Sequence, residues 1–308
     1  MEHAAKLRKL APLESGRRRR EKGKESETKS GKSSKPRVFA VTSGKGGVGK
    51  TNVVGNLAIA CQRKGKKVLV LDADLGLANL DIIFGINPRH TIGETIRGEK
   101  ELSKIIVEGP EGVAVIPASS GVQDLAHLSE RQKANLLSEF DALNECFDLL
   151  LIDTGSGISS NVIFFNLVAE ERVIVISPEP TSITDAYALI KTLFLHHGVK
   201  DFLLLSNMVK DETQGRVVYE NLSGVVAKLM PEVCIDYAGC IPWDGLLQKG
   251  VSRREPVVCC YPESPSSCSF SLLAEFVLGY GEQKPSDGNI KFLFKRIMGV
   301  NRNESATP

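Results

Sequence analysis

Eight residues between positions 44 and 51 have the types and spacing of a loop that binds phosphate. The run reads Gly44-Lys45-Gly46-Gly47-Val48-Gly49-Lys50-Thr51. Its glycines let successive backbone N–H groups face the β- and γ-phosphates, the Lys50 ammonium adds positive charge there, and the Thr51 hydroxyl can ligate Mg²⁺. Because an apolar strand pattern precedes the loop and a helical pattern follows it, a chance match is disfavoured. The sequence therefore predicts a nucleotide and Mg²⁺ site.

Lys45 is an additional cation at the beginning of the same loop. A phosphate loop needs only the lysine at the start of its helix, which here is Lys50. We therefore expect Lys45 to do more than grip the nucleotide of its own chain.

Three aspartates follow predicted strands and are candidates for the remaining catalytic chemistry. Asp72 and Asp74 end the apolar run at 69–71, and Asp153 ends the run at 149–152. The carboxyl ends of strands in a doubly wound sheet form the ligand crevice, so these acids should converge on the phosphate loop. Asp153 is predicted to hold Mg²⁺ through water, and Asp74 is predicted to orient an attacking water.

The turn after the third aspartate has the composition of a switch. Gly155 and Gly157 follow Asp153 and give the turn freedom to move when a γ-phosphate is present. Asp72 is either part of this switch or a cap of the following helix. The predicted switch residues are Asp72, Gly155 and Gly157.

Short apolar strands alternate with amphipathic helices from Val38 onward. Strands that are apolar on both faces indicate a mostly parallel sheet with helices on both sides, which is a doubly wound α/β fold in a single domain. The predicted strands are Val38–Thr42, Lys67–Leu71, Val113–Ile116, Leu149–Ile152, Val173–Ile176, Phe202–Leu205 and Gly239–Ile241. The predicted helices are Lys50–Lys64, Ser129–Cys146, Ser182–His197, Thr213–Leu229 and Ser264–Leu278.

Charge and cysteine content exclude several classes of protein. The 308 residues carry a formal net charge of +2, but residues 1–37 contain thirteen Lys/Arg against five Asp/Glu, so the remainder is mildly acidic. A uniformly basic nucleic-acid binder is therefore not indicated. The seven cysteines are scattered and include no C-x-x-C pair, which indicates free thiols in a reducing compartment and argues against an iron–sulfur carrier.

Composition also divides the chain into segments. The prediction comprises a short helical motif at 1–12, a disordered basic linker at 13–36, the α/β domain at 37–281, a second linker at 282–289, a terminal helix at 290–300 and a disordered tail at 301–308. No apolar run is long enough to span a membrane.

The terminal segment has the pattern of a helix that lies in a membrane surface. At about 100° per residue, its apolar side chains share one face that cations flank, with one aromatic residue outside this face. The predicted membrane residues are Lys291, Phe292, Leu293, Phe294, Lys295, Arg296, Ile297 and Met298. Such a helix suits an anionic leaflet, and docking on the surface of its own domain is the alternative.

Three motifs together resemble the deviant Walker A ATPases of the MinD/ParA family. They are Gly-Lys-Gly-Gly-Val-Gly-Lys-Thr at 44–51, Asp-Ala-Asp-Leu-Gly-Leu-Ala-Asn-Leu-Asp at 72–81 and Ile-Asp-Thr-Gly-Ser-Gly-Ile at 152–158. The resemblance implies a MinD-like P-loop NTPase that binds ATP and Mg²⁺ and forms an ATP-sandwich homodimer, in which Lys45 crosses to the partner subunit's phosphates. It also implies that the adenine is lined by Asn207, Pro242 and Asp244.

Within this family the chain is most similar to the FlhG flagellar-number regulators. The run Ser177–Ala186 and the terminal helix resemble that branch, and residues 2–8 resemble its N-terminal activator motif, which docks on the GTPase FlhF. The residues implied in that contact are His3, Ala4, Leu7 and Arg8. His3 stands where the family has glutamine.

These features lead to one functional hypothesis and two alternatives. We expect a slow cytoplasmic ATPase that dimerises on ATP, binds anionic lipid at the inner face of the cell membrane and leaves after hydrolysis. The resemblance implies control of flagellar number or placement, with an FlhF-like GTPase and flagellar basal-body components as partners. We expect no specific nucleic acid as a partner. The alternatives are a ParA-type factor for DNA segregation and a MinD-type regulator of cell division.

Overall fold

A single sheet forms the centre of the domain. The computed structural model describes residues 36–75, 79–118, 128–143 and 146–280. In these ranges the strands are β1 Arg37–Ser43, β2 Val68–Ala73, β3 Val107–Glu108, β4 Ala114–Ile116, β5 Leu149–Ser156, β6 Glu171–Ile176, β7 Asp201–Val209 and β8 Cys234–Pro242. Their order across the sheet is β3-β4-β2-β5-β1-β6-β7-β8, and β3 alone among them runs antiparallel to its neighbour.

Helices connect these strands. Over the same described ranges they are α1 Lys50–Arg63, α2 Leu80–Phe84, α3 Ile92–Ile96, α4 Glu130–Asp141, α5 Ser160–Val168, α6 Pro180–His197, α7 Glu212–Leu229, α8 Gly245–Arg253, α9 Val257–Cys260 and α10 Pro265–Gly279. Two short 3₁₀ turns lie at Leu102–Lys104 and Pro110–Gly112.

Both faces of the sheet are covered because consecutive strand residues are apolar. Phe39 and Ala40 point to opposite faces of β1, and both are fully buried. On the Phe39 side the sheet packs against α1 and α10, and on the Ala40 side it packs against α3, α4 and α5, with α6 and α7 further along. The predicted doubly wound α/β sheet is confirmed, and each predicted strand corresponds to an observed one.

The structure differs from the sequence prediction where the local signal is short or lacks periodicity. β3 has two residues, and α2, α3 and α9 have four or five, which is too few for a periodic pattern. α5 is buried on nearly every side, so its sequence lacks an amphipathic alternation. α8 begins with Gly245 and contains Gly250, and glycine is a poor helix former. α4 ends at Asp141 rather than at Cys146.

β8 is a long edge strand with a bulge in its middle. It begins at Cys234, five residues before the predicted start, because its first half alternates between apolar and polar residues. Tyr237 pairs with Leu204 of β7, but Gly239 pairs with the next residue, so that one extra residue of β8 is inserted. Gly239 has a φ of +116°, a conformation that glycine adopts most readily.

Several predicted segments lie outside the described residues. They are the motif with His3, Ala4, Leu7 and Arg8, the basic linker up to residue 35, the second linker, the tail and the terminal helix with its membrane residues 291–298. The boundaries of these segments stay predictions. Among the helices within the described ranges, none combines the length and apolar character that crossing a membrane requires.

Candidate nucleotide site

The phosphate loop lies between β1 and α1, and its backbone needs glycine at three positions. Gly47 and Gly49 have φ angles of +80° and +82°, in the left-handed region that glycine adopts without strain. Gly44 lies against α6, where a Cβ atom would overlap the carbonyl group of Asp185. The loop therefore reaches the N-terminus of α1 in close contact with α6. A helix N-terminus at this position favours a bound anion.

The other predicted loop residues lie around this path. Gly46 faces the turn after β5, where a Cβ atom on it would lie 3.5 Å from the Ser156 hydroxyl oxygen. Val48 is buried, and Thr51 is the half-buried second residue of α1. The loop thus presents Thr51 at the start of the helix, as the predicted role toward Mg²⁺ requires.

Lys50 and Asp153 form a buried ion pair beneath the loop. Lys50 Nζ donates to Asp153 Oδ1 at 2.8 Å, and the two side chains are 8% and 1% exposed. Removing one partner of such a pair costs roughly 3–5 kcal/mol, because the other charge is left buried and unpaired. Asp153 Oδ2 is also buried and has no hydrogen-bond partner among the described residues. A buried carboxylate oxygen of this kind, beside the phosphate loop, suits a role in holding Mg²⁺ or one of its waters.

Asp72 braces the turn that carries Asp74. It lies opposite Asp153 on the neighbouring strand, and its carboxylate accepts the N–H groups of Asp74 at 3.2 Å and Leu80 at 3.3 Å. Burial, together with the adjacent charge of Asp153, raises the pKa of Asp72 to about 8. Leu80 is the first residue of α2, so the structure favours the capping interpretation of Asp72. Through the hydrogen bond to Asp74, Asp72 also positions that residue.

The predicted switch turn touches both the phosphate loop and Asp74. Gly157, at a φ of +85°, donates its N–H to the Ser43 carbonyl at 2.9 Å. A Cβ atom on Gly155 would lie 3.7 Å from Asp74 Oδ1. The structure therefore brings together the loop, the two switch glycines and Asp74. We expect a change at the γ-phosphate position to reach the turn through these contacts.

Lys45 is held by the first turn of α6 in its own chain. Its ammonium pairs with the Glu179 carboxylate and donates to Thr181 Oγ1 at 2.9 Å. Sequence reasoning misses Glu179 and Thr181, whose one signal is their place in the run Ser177–Ala186, which resembles one family branch. The two charged side chains are 34% and 62% exposed, and an ion pair of this kind contributes roughly 0–1 kcal/mol. A more highly charged partner can therefore displace Glu179.

Asn207, a predicted adenine residue, supports the phosphate loop. Its Nδ2 donates to the Val48 carbonyl oxygen at 2.7 Å, and a Cβ atom on Gly49 would lie 2.5 Å from the same nitrogen. Met208 follows at a φ of +59°, which is unusual for a residue other than glycine. Nδ2 bonds the loop, so we expect Oδ1 to be the atom of Asn207 that faces a base. A carbonyl oxygen suits the N6 amino group of adenine and repels O6 of guanine.

The other two predicted adenine residues lie at the end of β8. Asp244 caps α8, since it accepts the Leu246 N–H at 2.8 Å, and it also accepts the Ser266 hydroxyl at 2.7 Å. Pro242 borders a cavity of about 340 Å³ whose other lining residues include Asp211, Cys240 and Leu272. The contact of Pro242 and Asp244 with adenine stays a prediction.

Substitution of Asn207 tests its two contacts separately. We expect Asn207→Ala to weaken the binding of both ATP and GTP about tenfold, because the loop loses a buried hydrogen bond. We also expect the preference for ATP over GTP to fall, because the acceptor for the adenine amino group is gone. Titration with fluorescent ATP and GTP analogues measures both effects. An unchanged ratio of the two affinities would show that Asn207 braces the loop and does not read the base.

The chain is similar to known proteins along most of its length. Residues 36–201 match the family described as an AAA domain. The antiactivator FleN of Pseudomonas aeruginosa strain PAO1 is 41% identical over 261 residues, which cover 85% of this chain and 93% of that protein. The flagellum site-determining protein YlxH of Helicobacter pylori is 36% identical over 267 residues, with 85% of this chain and 90% of that protein covered.

A solved structure shows the same fold with nucleotide bound. The septum site-determining protein MinD of Pyrococcus horikoshii, in complex with Mg-ADP, has a TM-score of 0.67 and 25% sequence identity to this chain. The match covers 81% of this chain and 99% of that protein.

Proposed function

We propose that ATP joins two copies of the chain and attaches the pair to a membrane. The proposal starts from the fact that the chain belongs to the FlhG-type branch of the MinD/ParA ATPases. The protein is an ATPase, and its cofactors are ATP and Mg²⁺. In the proposal, its cycle of binding and hydrolysis sets the number or placement of flagella. The relative YlxH is named for determining the flagellum site.

The position of Lys45 is the observation that supports this proposal best. Lys45 lies at the loop that binds phosphate, yet its ammonium is engaged with Glu179 and Thr181 and not with the phosphate loop. Charge-assisted contacts with a triphosphate are stronger than an exposed pair with one carboxylate. We infer that Lys45 leaves Glu179 and contacts the γ-phosphate held by a second copy. Each copy then completes the site of the other only when ATP is present.

Exposed apolar side chains near the site support a contact between two copies. They lie at or beyond the carboxyl ends of β2, β5, β7 and β8, which share one edge of the sheet with the phosphate loop. These side chains are Ile82, Ile158, Met208 and Trp243. Burying one large apolar side chain fully contributes about 1.5–3 kcal/mol. Partial burial of several of these side chains between two copies would add to the attraction that Lys45 provides.

The hydrolysis step follows from the arrangement of the acids around the loop. Lys50 offsets negative charge at the phosphates, while Asp74 orients a water for attack on the γ-phosphorus. Bound Mg²⁺ supplies further positive charge at the phosphate oxygens, and Thr51 and Asp153 are the residues that would hold it. We expect slow turnover, because Asp74 positions the water with little other catalytic machinery. Slow hydrolysis would time the release of the dimer.

Membrane attachment is assigned to the terminal helix at 290–300. A helix of about eleven residues is marginal in isolation, and one apolar face buried partway in lipid binds weakly. Two such helices on one dimer bind more strongly, because the second contact is intramolecular. The protein would therefore be cytoplasmic and would bind the inner face of the cell membrane reversibly. The N-terminal motif at 2–8 would contact an FlhF-like GTPase, with flagellar basal-body components as further partners.

Deletion of residues 290–308 tests the membrane assignment. With MgATP, we expect the truncated protein to bind phosphatidylglycerol vesicles at least tenfold more weakly, because both apolar faces of the dimer are lost. ATP-dependent dimerisation should persist. Deletion of residues 301–308 alone is the matched control and should leave vesicle binding unchanged. Loss of DNA binding with normal vesicle binding would instead favour a ParA-type factor for DNA segregation.

A further inference from the structure

Three fully buried polar side chains lie beneath the predicted switch turn. They are Thr42 in β1, Thr154 in β5 and Asn166 in α5. Asn166 Nδ2 donates to Thr42 Oγ1 at 3.1 Å, and Thr154 Oγ1 lies 3.0 Å from the same oxygen. The three side chains therefore link the strand before the phosphate loop, the strand that carries the switch turn and the helix after it.

The Thr154 hydroxyl has more acceptors within reach than it has hydrogens. Its oxygen lies 2.8 Å from the Gly155 carbonyl oxygen, 3.0 Å from Thr42 Oγ1 and 3.2 Å from the Val41 carbonyl oxygen. Its single hydrogen can be donated fully to only one of these acceptors. The nearest acceptor belongs to the switch turn, and the other two belong to β1. The hydroxyl can therefore hold the turn, or release it and bond to β1, and it is paired in both cases.

The ladder between β1 and β5 is interrupted at the same point. Between Val41 and Ser43 the pairing shifts, because β5 contains one extra residue there. A bulge of this kind disrupts the backbone hydrogen bonds locally, so a side-chain contact has more influence on the position of the chain. Thr154 directly follows Asp153 and lies in the bulged part of β5. Its hydroxyl therefore acts where the backbone ladder holds the turn least.

The buried amide of Asn166 has a cost in stability. Its Nδ2 donates to Thr42 and to the Val162 carbonyl oxygen at 2.8 Å, but Oδ1 is buried and has no hydrogen-bond partner among the described residues. An apolar side chain would avoid the penalty for an unpaired buried acceptor. The amide instead keeps the Thr42 hydroxyl oxygen beside Thr154 as an acceptor. Polar groups that are buried at a cost beside a catalytic centre point to a role in its geometry.

We infer that Thr154 is a positioning residue for ATP hydrolysis. The turn that it holds lies beside the acid assigned to the water, since a Cβ atom on Gly155 would lie 3.7 Å from Asp74 Oδ1. The Thr154 hydroxyl sets the turn against Asp74 before the attack, and its acceptors on β1 let the turn shift without leaving a buried hydroxyl unpaired. The inference rests on the proposed hydrolysis step and deepens it. The contacts of the hydroxyl lie outside positions 44–51, so ATP binding does not depend on them.

Thr154→Val tests the inference, because valine keeps the shape of the side chain and removes the hydroxyl. We expect kcat with MgATP to fall about ten- to a hundredfold, since a small displacement at a reacting centre has an effect of this size. ATP affinity should stay within about threefold of wild type, because the phosphate loop is intact. Thr154→Ser keeps the hydroxyl, and its kcat should be within about threefold of wild type. A phosphate-release assay and titration with a fluorescent ATP analogue measure the two quantities.

Ser206→Ala is the matched control. Ser206 is also a fully buried hydroxyl residue of a strand, and its Oγ donates to the Gly215 carbonyl oxygen at 2.9 Å, but it lies in β7 and its contact is with α7. Its removal should lower thermal stability by a similar amount and leave kcat unchanged. Thr154→Ala removes the same hydroxyl as Thr154→Val and decides the question where the valine variant does not fold.

The outcomes separate this inference from the proposed hydrolysis step. A kcat of Thr154→Val within about twofold of wild type overturns the inference. An equal loss in Thr154→Ser or in Ser206→Ala also overturns it, because packing or general destabilisation would then explain the loss. If Asp74→Ala hydrolyses ATP normally while only the variants without the Thr154 hydroxyl are slow, the role of Asp74 fails and Thr154 remains a positioning residue of the switch turn. If Asp74→Ala is slow and Thr154→Val is normal, the hydrolysis step stands and this inference fails.

Discussion

In size-exclusion chromatography with MgATP, Lys45→Ala should elute as a monomer, while wild type shows a partial dimer. The substitution removes the side chain that we assign to the partner subunit's γ-phosphate. A symmetric dimer contains two such contacts, so both are lost. A hydrogen bond to a charged group contributes about 1.5–3 kcal/mol, so the two losses together weaken the dimer by roughly 10²- to 10⁴-fold. ATP binding by the monomer should remain, because Lys50 and the loop glycines are intact.

Glu179→Gln separates the two contacts of Lys45. This variant removes the ion pair within one chain and keeps the lysine, so we expect ATP-dependent dimerisation to persist at wild-type level or slightly above it. Monomeric behaviour of both variants would show that the contact with α6 itself holds the structure needed for dimerisation. A dimer of Lys45→Ala equal to wild type would refute the proposed crossing.

Asp74→Ala should accumulate as a dimer in MgATP and release phosphate about 10²- to 10⁴-fold more slowly than wild type. Without the carboxylate that orients water, the γ-phosphate stays in place and continues to hold Lys45 of the other copy. The turn itself should survive, because Asp72 accepts the backbone N–H at position 74 and not its side chain. Chromatography and a phosphate-release assay on the same sample measure both effects.

Asp81→Ala is the matched control for this experiment. Asp81 lies in the first turn of α2, seven residues further along the same segment, and its carboxylate accepts the N–H of the next residue. Its removal should change neither turnover nor the elution profile. An Asp74→Ala protein that stays monomeric and hydrolyses ATP normally would remove Asp74 from its assigned role.

The sheet and the phosphate loop could be predicted from sequence because their signals are local. Each continuous apolar strand, and the loop with its glycines and Lys50, occupies fewer than about ten residues. Each of these patterns indicates one kind of local structure. The convergence of Asp72, Asp74 and Asp153 follows from the same logic, since the carboxyl ends of parallel strands share one edge.

The remaining features of the site depend on contacts between distant parts of the chain. Lys45 and Glu179 are 134 residues apart, and Asn207 and Val48 are 159 apart. No local pattern encodes these separations, so the contact of Lys45 with α6 and the bracing role of Asn207 could not be predicted. The role of Asp72 was open for a different reason, because a carboxylate after a strand can equally cap a helix or serve a switch.

Both edges of the described sheet are poor templates for an additional strand. At one edge β3 offers only two residues, and at the other the bulge before Gly239 interrupts the ladder in the middle of β8. Interrupted or very short edges resist pairing with the backbone of another molecule, which is a common route to aggregation. Copies crowded together on a lipid surface would therefore associate through nucleotide and side chains, and would separate again when the nucleotide is spent.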